Sequence, residues 1–250
     1  MENLTLKGKV ILEGVIELKT GMHIGGTKET LKIGGTDNPV IRDAFGNILI
    51  PGSSLKGKIR ALLEKKDGKY VKDKGGYLPC NCGNIDCEIC LLFGPHDSQN
   101  IKEPVRIMVR DAYLQLKDEK KPHDYLEIKP ENIIDRIKGT AQHPRFIERV
   151  VAGSEFKFEV VFNIYKESDI NLIKKFIEGM KLLEDDYLGG SGSRGYGKIK
   201  FKNLKLICKP KEYYEGNAEK KKESNIIDGL DDSKIISELE NVWKAINFNQ

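Results

Sequence analysis

Four of the chain's five cysteines fall within the eleven residues "CNCGNIDCEIC", as Cys80, Cys82, Cys87 and Cys90. Thiols this crowded either cross-link or surround a metal, and both force the stretch to close on a point. Four thiolates can enclose Zn²⁺ tetrahedrally at ~2.3 Å from the ion. The second pair has the usual C-x-x-C spacing; the first, C-x-C, is one residue tighter, and His96 stands near enough to replace one thiolate. Two disulfides are the alternative, disfavoured in a reducing compartment. The spacing departs from the common ferredoxin run, which argues against an iron–sulfur cluster. Four protein ligands leave no open coordination position, so the expected metal is structural.

Around this insertion the hydrophobic pattern alternates between two periods. Leu6 to Lys19 has β-branched residues at partial period two, and "EFKFEVVFNIY" and "GKIKFKNLKLI" read as strands. Leu55, Ile59, Leu62 and Leu63 share one helical face after Pro51-Gly52, with Ser53 or Ser54 as expected N-cap. A second helix carries Leu172, Ile173, Phe176, Ile177, Met180 and Leu183, capped by Ser168 and stopped by Gly189-Gly190. "VRIMVRDAYLQL" returns to strand. The order strand–helix–strand–strand–helix–strand predicts an α+β, ferredoxin-like fold.

The expected division is 1–66 for the first half of the core, 67–94 for the cysteine-rich insertion and 95–116 for a core strand region. A charged excursion covers 117–153, and the second half of the core 154–208. Residues 209–250 hold a charged tail, read as solvated or disordered, and an amphipathic helix with Ile235, Ile236, Leu239, Val242, Trp243 and Ile246. No apolar run approaches the ~20 residues that span a bilayer, so a cytoplasmic protein without membrane contact is expected. A net charge of +4 permits an acidic partner without demanding one.

Two glycine motifs imitate nucleotide sites and fail. Gly190-Ser-Gly192-Ser-Arg-Gly195 satisfies G-x-G-x-x-G, but it follows a helix and precedes a strand, the reverse of a dinucleotide-binding loop. It either lets a backbone approach a ligand, with Arg194 as a planar cation, or simply turns the chain. Gly52 to Lys58 is one residue short of a P-loop, because Ile59 stands where Ser or Thr would bind magnesium. Its serines, lysines and Arg60 still make a helix N-terminus able to hold a phosphate.

Taken in order, "TGMHIGG", "TDNPVIRD", "ILIPGSSLKGKIRALLE", the cysteine cluster with "LFG", "ENIIDRIKGTAQHPRFIERVVAG" and "LGGSGSRGYGKIKF" resemble the repeated backbone subunit of type III-A CRISPR effector complexes. That subunit belongs to a superfamily of repeat-associated RNA-binding proteins, and the resemblance runs from about Leu6 to Ile207. It implies an RNA-recognition-type core, copies stacked head to tail on a CRISPR guide RNA, other subunits of the complex as partners, and a thumb hairpin that interrupts the guide–target duplex. It also implies cutting of complementary target RNA at those interruptions, dependent on Mg²⁺ or Mn²⁺.

Carried over by position, the catalytic aspartate falls on Asp37, where a carboxylate would activate the RNA 2′-hydroxyl or position a cation that does so. On its own, Asp-Asn-Pro also reads as a turn. Guide contacts fall on His23, Ser54, Lys56, Lys58 and Arg60; Arg136 and Arg145 fall in the thumb, and Arg194 completes the cradle. Asp43 reads as a turn residue. No histidine pair is poised for acid–base cleavage, which suits a slow, metal-assisted reaction. A non-catalytic guide-binding scaffold, or an enzyme that trims the guide precursor, are the readings it must beat.

Overall fold

In the computed structural model, which describes residues 4–26, 39–117 and 119–248, the opening alternation is strand β1 (Gly8–Leu18), with every second side chain buried. A short β2 (Leu49–Ile50) leads into helix α1 (Gly52–Asp67). The insertion follows as a hairpin of β3 (Tyr70–Asp73) and β4 (Gly76–Pro79), then a short helix α2 (Glu88–Phe93). Strands β5 (Ile107–Val109) and β6 (Ala112–Leu114) return to the body of the protein. A long hairpin of β7 (Leu126–Ile134) and β8 (Ala141–Val150) forms its own two-stranded sheet. Then come β9 (Glu155–Ile164), α3 (Asp169–Asp185), β10 (Ile199–Pro210), a single turn α4 (Lys211–Tyr214), β11 (Lys222–Glu223) and α5 (Asp232–Trp243).

The main sheet runs β11–β10–β1–β9–β6–β2, with β5 also on β9, and all its ladders are antiparallel. β1 is therefore central, and its buried Val10, Leu12, Ile16 and Leu18 meet Phe156, Phe158, Phe162, Phe201 and Leu206 of its neighbours in one core. Helices α1 and α3 cover that core with the apolar stripes legible in the sequence. They approach closely at Gly179, where a Cβ would lie 2.6 Å from Ile59.

The first helix starts earlier than expected, and the second starts where expected but without the side-chain cap. Ser53 and Ser54 lie inside α1, because Pro51 already has φ −58° and its carbonyl accepts from Ser54 N at 2.9 Å. The cap comes from elsewhere: Asp111 Oδ1 accepts from Gly52 N at 2.7 Å. Ser168 precedes α3 but its side chain caps nothing. The next residue, the buried Asp169, takes the Tyr165 and Lys166 amides on Oδ2 at 2.8 and 3.0 Å. Asp169 also meets Arg106, 1% exposed, which is paired with Glu103 at 2.7 Å and hydrogen-bonded to the Pro104 carbonyl. The glycines stop nothing either, since α3 ends at Asp185.

The charged tail is ordered. β11 pairs with β10, the buried Ser224 exchanges hydrogen bonds with Leu206 N and O, and Leu204 and Ile227 bridge at 2.8 Å in both directions. The exposed flank of β10 leaves backbone groups that need partners, and this return supplies them. One buried isoleucine, Ile227, is too little apolar signal to stand out among lysines and glutamates.

Candidate functional site

The nine residues from Gly189 to Gly197 turn sharply because φ is +86° at Gly189, +59° at Ser191, +82° at Gly195 and +73° at Gly197. Two of these glycines permit close approach. A Cβ on Gly189 would lie 2.4 Å from the His23 carbonyl oxygen, and one on Gly197 2.1 Å from that of Leu188. Gly197→Ala is therefore expected to cost about 2–3 kcal/mol in a denaturant melt. Gly195→Ala, with the same left-handed φ but open space around it, should cost only about 1 kcal/mol.

This loop docks on the segment after β1. Gly190 N donates to the His23 carbonyl at 2.9 Å and Gly197 N to that of Gly21 at 3.0 Å. His23 Nδ1 lies 2.7 Å from the Glu148 carbonyl, which can only accept, so Nδ1 carries the hydrogen. The Glu148 carboxylate takes Val40 N at 2.7 Å and Arg42 at 2.8 Å. Between these partners Gly26 N donates to Pro39 O, Ile41 N to Ile24 O, and Gly25 bridges Val40. The segment 27–38 thus leaves and rejoins the described chain beside His23, at the base of the β7–β8 hairpin. Asp37 lies in that segment, outside the described residues. Asp43 is a turn residue: its carboxylate accepts from Phe45 N and Asn47 N, both at 2.9 Å.

Lys58 reaches the same place from the second turn of α1, which also disposes of the P-loop resemblance. Its Nζ sits 3.0 Å from Asp186 and 3.7 Å above the Tyr187 ring, against which Gly192 packs. Arg194 Nη1 pairs with Glu131 of β7 at 2.9 Å. Arg145 stands across the hairpin from Glu131, while Arg136 is exposed in the connection between the strands. Ser54 lies in the first turn of α1. Lys56, half-buried, has its pKa lowered by burial and by the neighbouring Arg60 charge.

Arg60 goes elsewhere. Its Nε pairs with Glu64 at 2.7 Å and its Nη2 donates to the Cys80 carbonyl at 2.9 Å, while Glu64 also takes Cys80 N. These contacts anchor the cysteine insertion to α1. The Sγ atoms of Cys80, Cys82, Cys87 and Cys90 lie within 4.8 Å of one another, with near neighbours 3.6–3.9 Å apart. A tetrahedron of sulfurs ~2.3 Å from a central ion has edges of about 3.8 Å. The four thiols can therefore hold a metal ion such as zinc. His96 is not among them: it is exposed, and its amide donates to the Cys80 carbonyl. Burial pushes up the Cys87 and Cys90 thiols, whereas at Cys82 burial is outweighed by the Asn84 amide and neighbouring thiols, leaving it at about 7.

Sequence reasoning missed Glu131, Tyr196, Glu148 and Arg149, which join the glycine-rich loop and the segment after β1 to the hairpin. Tyr196 OH donates to Glu131 at 2.9 Å, and Lys129 and Arg149 stand 4.4 and 4.9 Å from its ring centroid. Only the aromatic inside a glycine run, "RGYGK", hinted at this.

The model of the RAMP superfamily matches residues 15–200. "CRISPR system Cms endoribonuclease Csm3" of Methanocaldococcus jannaschii is 76% identical over the whole of both chains. The protein of the same description from Methanothermobacter thermautotrophicus is 44% identical, over 83% of this chain and 89% of that one. Among solved structures, a chain of the Csm3–Csm4 subcomplex of the type III-A CRISPR–Cas interference complex superposes with a TM-score of 0.69 at 61% identity, covering 96% of this chain and 99% of that one. Among the described residues no helix is long and apolar enough to cross a membrane.

Proposed function

The chain belongs to the RAMP superfamily and, within it, to the Csm3 family of type III-A CRISPR effector subunits, and from that premise we propose that it is an endoribonuclease subunit that also builds the backbone of an RNA-guided complex. Copies stack on a guide RNA beside other subunits of the complex, in the cytoplasm, and cut complementary target RNA at regular intervals. One observation carries this reading: the glycine-rich loop, His23, Lys58, the hairpin base and both stems of the segment containing Asp37 converge on one site.

The division of labour follows from these positions. The core reads as ferredoxin-like, because the four long or composite strands run fourth, first, third, second across the sheet, with α1 and α3 packed on each other against the common core. Residues 1–66 and 154–208 supply its two halves, 67–94 the insertion, 95–116 a core strand region, 117–153 the thumb and 209–250 the tail. His23, Ser54, Lys56, Lys58 and Arg194 lie where guide phosphates would run, Lys58 and Arg194 by exchanging their carboxylate partners for phosphate. Arg136 and Arg145 contact RNA from the thumb. Arg60, engaged with Glu64 and Cys80, serves the insertion instead. Zn²⁺ in the four thiolates holds residues 67–94 in shape.

At the cut, Asp37 holds or takes the proton of the target's 2′-hydroxyl, whose oxygen attacks the adjacent phosphorus. That attack breaks the bond to the 5′-oxygen, which takes a proton from water and leaves as a 5′-hydroxyl, with a cyclic phosphate on the other fragment. A Mg²⁺ or Mn²⁺ ion, when bound, supplies stabilisation of the phosphoryl charge. The test is cleavage of a guide-complementary RNA by the assembled complex, against targets carrying deoxynucleotides at the cut sites. Evenly spaced products lost with the deoxy target, and lost with EDTA but restored by Mg²⁺, are expected. Unimpaired cutting of the deoxy target would remove the 2′-hydroxyl from the mechanism.

A further inference from the structure

Resting on the reading that the glycine-rich loop cradles RNA, we propose that Arg194, Tyr196 and Lys129 form a site for one RNA backbone phosphate, which the Glu131 carboxylate occupies until RNA displaces it. The Glu131 oxygens are taken separately: Oε2 accepts from Arg194 Nη1 at 2.9 Å, and Oε1 accepts from the Tyr196 hydroxyl at 2.9 Å. Lys129 Nζ stands 3.8 Å from Oε1. A phosphodiester presents the same pattern, one negative charge over two outward oxygens, and a guanidinium binds either anion.

Three observations make the carboxylate a stand-in rather than a fixed strut. Tyr196 is 1% exposed, and burial followed by the Glu131 hydrogen bond pushes its hydroxyl up to about 12, so it stays a donor that needs an acceptor. Arg194 is 55% exposed on its side chain, so a second anion can reach it from solvent. Glu131 itself rides on a hairpin that forms a separate two-stranded sheet, next to an irregular step in its ladder between Glu131 and Ile133.

The charges around the ring lean the same way. Among the described residues, Lys129, Arg149 and Arg194 pair with two carboxylates, Glu131 and Glu127, the latter 2.5 Å from Arg149. With Glu131 seated the free subunit keeps its own phosphate site filled, and RNA must pay the displacement. Unassembled copies then bind stray RNA weakly, while a guide held by many neighbours at once can expel each Glu131 in turn.

The experiment is fluorescence anisotropy of a labelled oligouridylate with the full-length chain, as wild type, Glu131→Gln, Arg194→Ala and the double variant, each checked by thermal melt. Glu131→Gln keeps the shape and hydrogen-bonding reach of the side chain but not its charge. It is expected to bind about five-fold tighter, the scale of one partly exposed ion pair. Its log–log salt dependence should steepen by about 0.7, the increment of one further phosphate contact on a single strand. Both gains should vanish in the double variant. Equal or weaker binding by Glu131→Gln would make Glu131 an anchor of the loop and overturn the proposal. If Arg194→Ala alone left wild-type affinity unchanged, the assignment of Arg194 to the RNA cradle would fall as well, a result the Glu131 variant by itself does not produce.

Discussion

Asp37→Asn is expected to leave the complex assembled on its guide while target cleavage slows by about 10²–10⁴-fold, the usual loss when a positioned acid–base group is removed. Asparagine matches the carboxylate in size but neither accepts a proton at neutral pH nor carries charge for a cation. Nothing among the described neighbours offers a substitute. His23 is turned toward the Glu148 carbonyl, and the Glu148 carboxylate is occupied by Val40 and Arg42. Those same contacts hold the stems of the segment 27–38, so assembly and guide binding should survive the change. Single-turnover cleavage read on a sequencing gel, beside a native gel of the assembled complex, separates the two effects. Wild-type rates from Asp37→Asn would make Asp37 a turn residue and the chain a scaffold.

The second large effect concerns the cysteines. Cys87→Ser combined with Cys90→Ser should abolish binding of one equivalent of zinc per chain and unfold residues 67–94 locally, while the main sheet persists. The hairpin of β3 and β4 has little else to hold it: Tyr70, Val71, Tyr77 and Leu78 are all more than a third exposed. Ile89, Leu92 and Phe93 are buried in the common core, and Phe93 packs 6.3 Å from Phe176. A structural zinc contributes on the order of 10–16 kcal/mol to small metal-folded domains. That exceeds what three apolar side chains supply, at roughly 1.5–3 kcal/mol each. Elemental analysis gives the stoichiometry, and hydrogen exchange gives the segment-by-segment protection. A metal-free variant that kept its protection across 67–94 would show that packing alone shapes the insertion.

The readings that survived rest on local chemistry. β1, α1 and α3 announced themselves by period, because a strand or helix that covers a core must place apolar side chains at two or 3.6 residue intervals whatever its neighbours are. The four cysteines were legible for a similar reason, since ligands within eleven residues must meet once the chain turns. The G-x-G-x-x-G loop could be dismissed from the order of elements, and the P-loop imitation from Ile59 in place of Ser or Thr. What failed was anything that needed a distant partner. The sequence offers Ser53, Ser54 and Ser168 as side-chain caps, but Asp111 caps α1 and no side chain caps α3. Nor does any spacing announce that Arg60, paired with Glu64, meets the Cys80 carbonyl.

By itself, then, the sequence determined the periodic elements, the metal-competent cluster and the family to which the ordered motifs belong. Tertiary structure alone decided which charges face each other: Arg106 with Asp169, Glu148 with Arg42, and Glu131 with Arg194, 63 residues away. An ion pair leaves no period in the chain, because its partners are chosen by which strands the sheet brings side by side. Lysines, arginines, aspartates and glutamates make up 32% of the sequence, so almost any pairing can be imagined until the fold selects one.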